Sequence, residues 1–298
     1  TALMETYKRF PLTLIKGKGS WVWDQNGRKY LDGVSGIATC CLGHSDEILK
    51  KALKKQLSKI QHVSNLYHIQ EQEELAKWLV DNSCADKVFF TNSGAEANEA
   101  AIKLSRKYAK SRRNVENPII LAAEGSFHGR TLGALSATGQ PSYQKGFEPL
   151  LKGFEFFKYN DINSFEKLLE KVEDEKHKVI SVLIEPLQGE GGVNPGDTSF
   201  FKRLREICTN KKILLIFDEV QTGMGRTGSL WGYENLKIEP DAFTSAKGLG
   251  GGHPIGALLV KEEFNIFQPG DHASTFGGNP FATRAAITVG KEIDRRNL

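Results

Sequence analysis

One lysine and one aspartate have the residue types and surroundings for a specific chemistry. Lys247 lies in the glycine-rich segment 244–252, and Asp218 directly follows the apolar run 213–217. A lysine amine forms a Schiff base with an aldehyde, and a carboxylate keeps a pyridine nitrogen protonated. Pyridoxal 5'-phosphate (PLP) needs both groups, so the pair predicts this cofactor.

A phosphate site is predicted next to the apolar run 88–90. Residues 92–96 (Asn-Ser-Gly-Ala-Glu) follow that run and open a stretch with helical spacing. Ser93 and Glu96 fit a capping box, which requires no ligand. The N–H groups of Gly94 and Ala95 would also suit a phosphate at a helix N-terminus. Both interpretations stay open on these residues alone.

Three further loops carry candidate binding groups. Phe127 could stack on a pyridine ring, and Arg130 could hold a carboxylate through two parallel hydrogen bonds. A core phenylalanine and a solvated arginine are the alternatives. Glu190 lies among glycines that let backbone approach a ligand, and it is either a substrate-side charge or a loop carboxylate. Glu219 and Gln221 could orient Asp218 or contact a ring hydroxyl.

The segment 223–228 matches Gly-x-Gly-x-x-Gly, which suggests a dinucleotide site. The context disfavours it, because five residues separate the apolar run from the first glycine. Residues 229–233 are also a poor helix start, and no helical period precedes Pro240. A nicotinamide oxidoreductase remains an alternative that would require NADH binding.

Short apolar runs alternate with amphipathic stretches, which predicts an α/β fold with a mainly parallel sheet flanked by helices. Strands are expected at 88–90, 119–122, 154–157, 180–184, 213–217, 242–244 and 255–260. Helices are expected at 46–57, 70–81, 95–110, 162–171, 199–209 and 280–297. Residues 21–32 indicate a hairpin with Asn26-Gly27 as its turn. Ligands of such sheets bind beyond the carboxyl ends of the strands, where these motifs fall.

The composition of the chain argues against several classes of protein. The net charge of +4 is dispersed over 298 residues, which argues against nucleic acid as a partner. The apolar runs are too short to cross a membrane. No histidine or cysteine spacing indicates a metal site, and the four cysteines are expected as reduced thiols in a cytoplasmic protein. An organellar location is the alternative if a transit peptide has been removed.

Five motifs together resemble the class III PLP-dependent aminotransferases. They are residues 92–97 (Asn-Ser-Gly-Ala-Glu-Ala), 127–131 (Phe-His-Gly-Arg-Thr), 218–223 (Asp-Glu-Val-Gln-Thr-Gly), 246–248 (Ala-Lys-Gly) and 274–280 (Ser-Thr-Phe-Gly-Gly-Asn-Pro). They occur in family order and cover the chain from about residue 10 to its end. The resemblance implies the PLP-dependent transferase type I fold.

The resemblance also implies roles. Lys247 would hold PLP and act as acid and base, and Asp218 would pair with the ring nitrogen. The cofactor-binding set would be Ser93, Gly94, Ala95, Phe127, Asp218, Glu219, Val220, Gln221, Lys247 and Thr275. The substrate-binding set would be Arg130, Glu190 and Ser274. Ser274 and Thr275 would reach across the interface of a homodimer with shared active sites.

Family members continue beyond the last residue of this chain. The expected organisation is therefore an N-terminal segment 1–60, part of a small domain, a large PLP-binding domain 61–298, and a C-terminal small domain absent from this chain. In the family Glu190 can pair with an arginine of that absent part.

The subgroup motifs at 36–44 and 223–231 resemble enzymes that transfer the δ-amine of N-acetylornithine to 2-oxoglutarate. Ornithine, succinyldiaminopimelate and 4-aminobutyrate are alternative donors. A non-catalytic PLP-binding module is an alternative of another class.

Overall fold

The computed structural model describes residues 2–298 and places a seven-stranded sheet between two layers of helices. The strands are β1 (Leu14–Lys18), β2 (Trp21–Asp24), β3 (Lys29–Leu31), β4 (Lys87–Thr91), β5 (Asn117–Ala123), β6 (Phe154–Phe157), β7 (His177–Ile184), β8 (Leu187–Gln188), β9 (Asn194–Pro195), β10 (Leu214–Asp218), β11 (Ala242–Ser245) and β12 (Gly256–Val260). The helices are α1 (Ser35–Ala38), α2 (Glu47–Leu57), α3 (Gln70–Asp81), α4 (Gly94–Arg112), α5 (Leu132–Ser136), α6 (Pro141–Gln144), α7 (Ile162–Val172), α8 (Thr198–Lys211), α9 (Gly232–Leu236) and α10 (Pro280–Arg296). Short 3-10 turns span Lys247–Gly250 and Glu262–Phe264.

The large sheet has the strand order β4-β12-β11-β10-β7-β5-β6. The strands β11, β10, β7, β5 and β6 pair in parallel, and β12 runs antiparallel to both of its neighbours. This confirms the prediction of a mainly parallel sheet. Because β10 is the middle strand, its last residue, Asp218, reaches the centre of the edge at which ligands are expected.

Both faces of the sheet are covered, which explains why its strands are continuous apolar runs. Leu215 and Phe217 of β10 belong to one buried cluster, whereas the alternating Leu214 and Ile216 belong to another. The alternation follows from the two-residue period of a strand. Each long predicted helix and strand is found with its ends shifted by no more than a few residues.

One local expectation was wrong. The segment 229–233, predicted to be a poor helix start, contains the first two residues of the five-residue helix α9. Its first turn is capped by a residue that is distant in the sequence. The Glu219 carboxylate accepts hydrogen bonds from the N–H groups of Gly232 (2.8 Å) and Tyr233 (2.7 Å). A tertiary cap of this kind leaves no periodic signal in the sequence.

The strands β1 to β3 form a separate three-stranded sheet. The helix α2 instead places Leu49 and Leu53 in the main core, where it packs against α10. The division of the chain at residue 60 stays a prediction. None of the helices within residues 2–298 combines the length and apolar character that a membrane span requires.

Candidate active site

A cavity of about 250 Å³ lies where the carboxyl ends of the strands converge. Segments that follow β4, β5, β7, β10 and β11 supply its walls. The lining residues are Gly94, Ala95, Asn98, Phe127, His128, Gly129, Arg130, Glu185, Leu187, Glu190, Asp218, Val220, Gln221 and Lys247. The structure thus brings together the candidates from five separate loops.

Asp218 is buried and held by a network of hydrogen bonds. The Asn98 side-chain amide donates to its Oδ2 (2.8 Å), and the Val220 N–H donates to its Oδ1 (2.9 Å). The Thr244 hydroxyl donates to Asn98 Oδ1 (2.9 Å) and thereby fixes the orientation of that amide. Since each donor is itself fixed, the carboxylate has a single orientation in the wall of the cavity.

His128 pairs with the same carboxylate, with 2.7 Å between Nδ1 and Asp218 Oδ2. Burial alone would lower the pKa of His128, but the hydrogen bond and the charge of Asp218 outweigh burial and raise it. His128 therefore keeps its proton to a higher pH than a free histidine does. Within residues 2–298, His128 Nε2 has no hydrogen-bond partner.

Lys247 is half-buried and lies two residues after the end of β11. Its φ of 43° lies in the left-handed region, which costs a side-chain-bearing residue about 1–2 kcal/mol. Burial lowers the pKa of the Lys247 amine, although the charges of Asp218, Glu190 and Glu185 partly oppose this shift. An amine that loses its proton more readily is a better nucleophile and base at neutral pH.

Two glycines bring backbone segments together at one end of the cavity. A methyl group at Gly94 would collide with Val220, and one at Gly129 would collide with Ala95. Gly94 and Ala95 are the first two residues of α4, so their N–H groups lie where a helix has no internal acceptor. This end of the cavity can therefore bind an anion.

Aromatic and charged side chains form the mouth. Phe127 packs edge-to-face against Tyr143, with 5.7 Å between ring centroids. The exposed Arg130 guanidinium lies 3.9 Å from the Tyr143 centroid and 5.5 Å from that of Phe127. The Tyr143 hydroxyl is 3.4 Å from Glu190 Oε1.

Four predicted site residues do not line the cavity. Ser93 Oγ accepts the Glu96 N–H (3.1 Å) as an N-cap, while the Glu96 carboxylate accepts the Asn92 N–H (2.7 Å), so the predicted capping box is displaced by one residue. The Glu219 carboxylate caps α9 instead of orienting Asp218 or facing the ring, and burial raises its pKa to about 7. Ser274 Oγ accepts hydrogen bonds from the Asn92 amide and the Gly277 N–H, and Thr275 is exposed beside it.

The glycines near Glu190 also have close neighbours within the chain. A methyl group at Gly189 would collide with Gln221, and one at Gly191 would collide with the Gly125 carbonyl. Packing within the chain therefore requires these two positions to be small. The same holds at Gly251, where a methyl group would collide with Val289.

Sequence reasoning assigned no role to three residues of the site. Asn98 and His128 bind Asp218, and the buried Glu185 accepts the Phe127 N–H (3.2 Å). The pKa of Glu185 is raised to about 7, mainly by burial. The charge of His128 opposes this rise, and the charge of Asp218 adds to it. Polar residues that directly follow a buried strand, as Glu185 does, were the available signal. No cluster of three or more potential metal ligands occurs in the described part of the chain.

The comparisons with known proteins agree on one family. Residues 3–298 match the family described as aminotransferase class-III. An acetylornithine aminotransferase of Prochlorococcus marinus (strain MIT 9313) is 67% identical over 298 residues, which are 100% of this chain and 71% of that protein. One from Thermosynechococcus vestitus (strain NIES-2133 / IAM M-273 / BP-1) is 60% identical over 296 residues, covering 99% of this chain and 72% of the relative.

Solved structures of aminotransferases also match this chain. An ornithine aminotransferase from Toxoplasma gondii, described as having partial occupancy of PLP at its active site, matches with a TM-score of 0.93 and 31% identity. The match covers 99% of this chain and 69% of that one. The N-acetylornithine aminotransferase from Stenotrophomonas maltophilia K279a has a TM-score of 0.81 and 38% identity, with coverage of 96% and 70%.

Proposed function

Because this chain belongs to the class-III aminotransferase family, we propose that it transfers the δ-amino group of N-acetylornithine to 2-oxoglutarate, a reaction of arginine biosynthesis. Enzymes of this family depend on PLP. The cavity that holds both Lys247 and Asp218 is the observation that carries amino transfer. The identity to acetylornithine aminotransferases over the full chain supports the choice of amine donor.

The residues of the cavity fit a phosphorylated pyridine aldehyde. A buried carboxylate, Asp218, suits a protonated ring nitrogen, and the first turn of α4 suits a phosphate. Gly94 and Ala95 line the cavity, and their N–H groups have no acceptor within α4. The unpartnered His128 Nε2 is a buried polar atom in the same wall, as a polar ligand or bound water would require.

When bound, PLP supplies an aldehyde for the amine and a protonated ring that withdraws electrons from the substrate carbon. Lys247 would hold the aldehyde carbon of the cofactor, and its Nζ, once free, would remove the proton from the substrate Cδ. Asp218, held by the Asn98 amide and the Val220 N–H, would keep the ring nitrogen protonated. Gly94 and Ala95 would bind the phosphate at the turn that Ser93 caps, and Phe127, Val220 and Gln221 would line the space for the ring.

Arg130 binds the substrate carboxylate through its two parallel donors, and Glu190 is the charge that meets the distal part of the substrate. We further propose a homodimer in which Ser274 and Thr275 serve the site of the partner subunit. Exposed large side chains such as Leu66, Tyr67 and Phe276 support a covered surface near these residues. A cytoplasmic location is part of the same proposal.

The lowered pKa of Lys247 predicts how capture of PLP depends on pH. Only the neutral amine attacks an aldehyde, so a lowered pKa raises the reactive fraction at any pH below it. We expect the rate of covalent attachment to the cofactor-free chain to reach its plateau below the ordinary lysine pKa of about 10.4. The measurement is the growth of visible absorbance from pH 6 upward, with N-α-acetyllysine as reference. A pH midpoint at or above that of N-α-acetyllysine would contradict the lowered pKa of Lys247.

Arg130→Lys is expected to raise the KM for N-acetylornithine by about tenfold to a hundredfold. A lysine cannot form two parallel hydrogen bonds to a carboxylate, so one charged hydrogen bond is lost. The affinity for PLP should change little, because Arg130 lies at the mouth and not at the phosphate end. Steady-state kinetics and a cofactor titration separate the two effects. The control is Arg112→Lys, an exposed arginine in the last turn of α4. If only PLP affinity fell, the assigned role would be wrong.

The donor is tested by comparing kcat/KM for N-acetylornithine, ornithine, succinyldiaminopimelate and 4-aminobutyrate with 2-oxoglutarate as acceptor. The proposal requires the highest value for N-acetylornithine and the parallel double-reciprocal lines of a ping-pong reaction. A higher value for another donor would move the assignment to that donor. PLP binding without turnover of any donor would favour the non-catalytic module.

A further inference from the structure

The mouth of the cavity holds one cation and one anion that do not pair with each other. Arg130 and Glu190 both line the cavity and are both exposed. Within residues 2–298, no carboxylate oxygen lies within salt-bridge distance of Arg130, and none of its N–H groups has a hydrogen-bond partner. The planar fork of donors is therefore open to a ligand.

Tyr143 contacts both charges, although it does not itself line the cavity. Its ring face supports the Arg130 guanidinium at 3.9 Å, and its hydroxyl reaches Glu190 at 3.4 Å. A guanidinium stacked on a ring keeps the N–H groups at its edge free for a carboxylate. The hydroxyl at the far end of the ring gives Glu190 a neutral partner.

The position of Tyr143 is fixed by two glutamines that flank it. The Gln140 side-chain amide donates to the Ser126 carbonyl (3.1 Å), and that of Gln144 donates to the Thr138 carbonyl (2.8 Å). These bonds tie the two ends of the short helix α6 to the loop after β5 and to the segment before α6. The Tyr143 ring is thus held by its own helix and by its packing against Phe127.

We propose that Tyr143 is a positioning residue that keeps Arg130 and Glu190 apart, so that Arg130 stays available to the carboxylate of an amino-acid substrate. The inference rests on the proposed role of Arg130. Without the ring, the two long side chains are free to meet as an ion pair. That pair would occupy the donors of Arg130 and compete with the substrate. The ring also orders Arg130 before binding, which lowers the entropy that binding must overcome.

The test measures the Kd of pentanoate, an unreactive monocarboxylate, from the change that it causes in the visible absorbance of the PLP-loaded chain. We expect Tyr143→Leu to raise this Kd about tenfold, through lost ordering and a new ion pair. Tyr143→Phe keeps the ring under Arg130 and should cause a smaller rise. Thermal unfolding of each variant checks that it is folded.

The Glu190→Gln variant separates the two contributions of Tyr143, which are to keep the two charges apart and to order the Arg130 side chain. In the double variant with Tyr143→Leu, Arg130 has no carboxylate to pair with, so the Kd should return to within about threefold of Glu190→Gln alone. An equal loss with and without Glu190→Gln would overturn the proposal, as would equal effects of Leu and Phe at position 143. If the chain did not react with N-acetylornithine while this pattern held, the proposed function would fail and the inference would stand.

Discussion

Replacing Lys247 with alanine is expected to abolish covalent attachment of PLP and to lower aminotransferase activity by about 10²–10⁴-fold, the usual contribution of a general acid and base. Among residues 2–298, Lys247 is the one lysine that lines the cavity. PLP should still bind, more weakly, through the phosphate end at Gly94 and Ala95. Borohydride reduction followed by mass spectrometry measures attachment, and equilibrium dialysis measures the residual binding.

A matched control distinguishes the site from lysines in general. Lys55→Ala removes an exposed lysine of α2 and should leave attachment and activity as they are. If the Lys247→Ala chain kept the visible band of lysine-bound cofactor, another lysine would be the attachment site. The account of the cavity would then be wrong.

Asp218→Asn is expected to lower activity while leaving the attachment of PLP largely in place. An opposite charge close to a titratable group shifts its pKa by about one to three units, so loss of the carboxylate should lower the pKa of the ring nitrogen by that amount. The protonated, electron-withdrawing ring then becomes about tenfold to a thousandfold rarer at neutral pH. The pKa of His128 should fall as well, since Asp218 is what raises it.

The measurements for this variant are the rate of the half-reaction with N-acetylornithine and the NMR titration of His128. Asp81→Asn, which removes an exposed carboxylate of α3 paired with Lys77, is the control. Should Asp218→Asn react at the wild-type rate with an unchanged His128 titration, Asp218 would have neither proposed role.

The central fold was predictable because its signals are local and repeated. Buried strands such as β7 and β10 are apolar runs, and amphipathic helices such as α3 and α7 carry a 3.6-residue period. The loops after those strands could then be assigned to one edge of the sheet by topology alone. The comparisons confirm the fold class, the family and the cofactor.

The short elements were not predictable, because they depend on contacts between residues that are far apart in the sequence. The helix α9 forms because Glu219, thirteen residues upstream of Gly232, caps it across a turn. The same carboxylate was expected to orient Asp218, so one contact that the sequence does not reveal accounts for both differences. The hydrogen bonds from Asn98 and His128 to Asp218 join residues separated by 120 and 90 positions, and no spacing rule connects them.

The glycines show a similar limit. Sequence indicates where backbone approaches closely, but not what approaches. At Gly94 the close neighbour is Val220 in the cavity wall, whereas at Gly189 it is the Gln221 side chain. Tyr143 illustrates the converse case, since nothing in its local sequence indicates the contacts that it makes with Arg130 and Glu190.

The most direct test of the central claim is the visible absorption spectrum of the chain loaded with PLP, recorded before and after addition of N-acetylornithine alone. The account predicts a yellow band of lysine-bound cofactor that collapses to the spectrum of pyridoxamine phosphate and returns when 2-oxoglutarate is added. A chain that forms no yellow band with PLP would contradict the assignment of Lys247 and of the cavity. A band that ignores N-acetylornithine would contradict the proposed reaction.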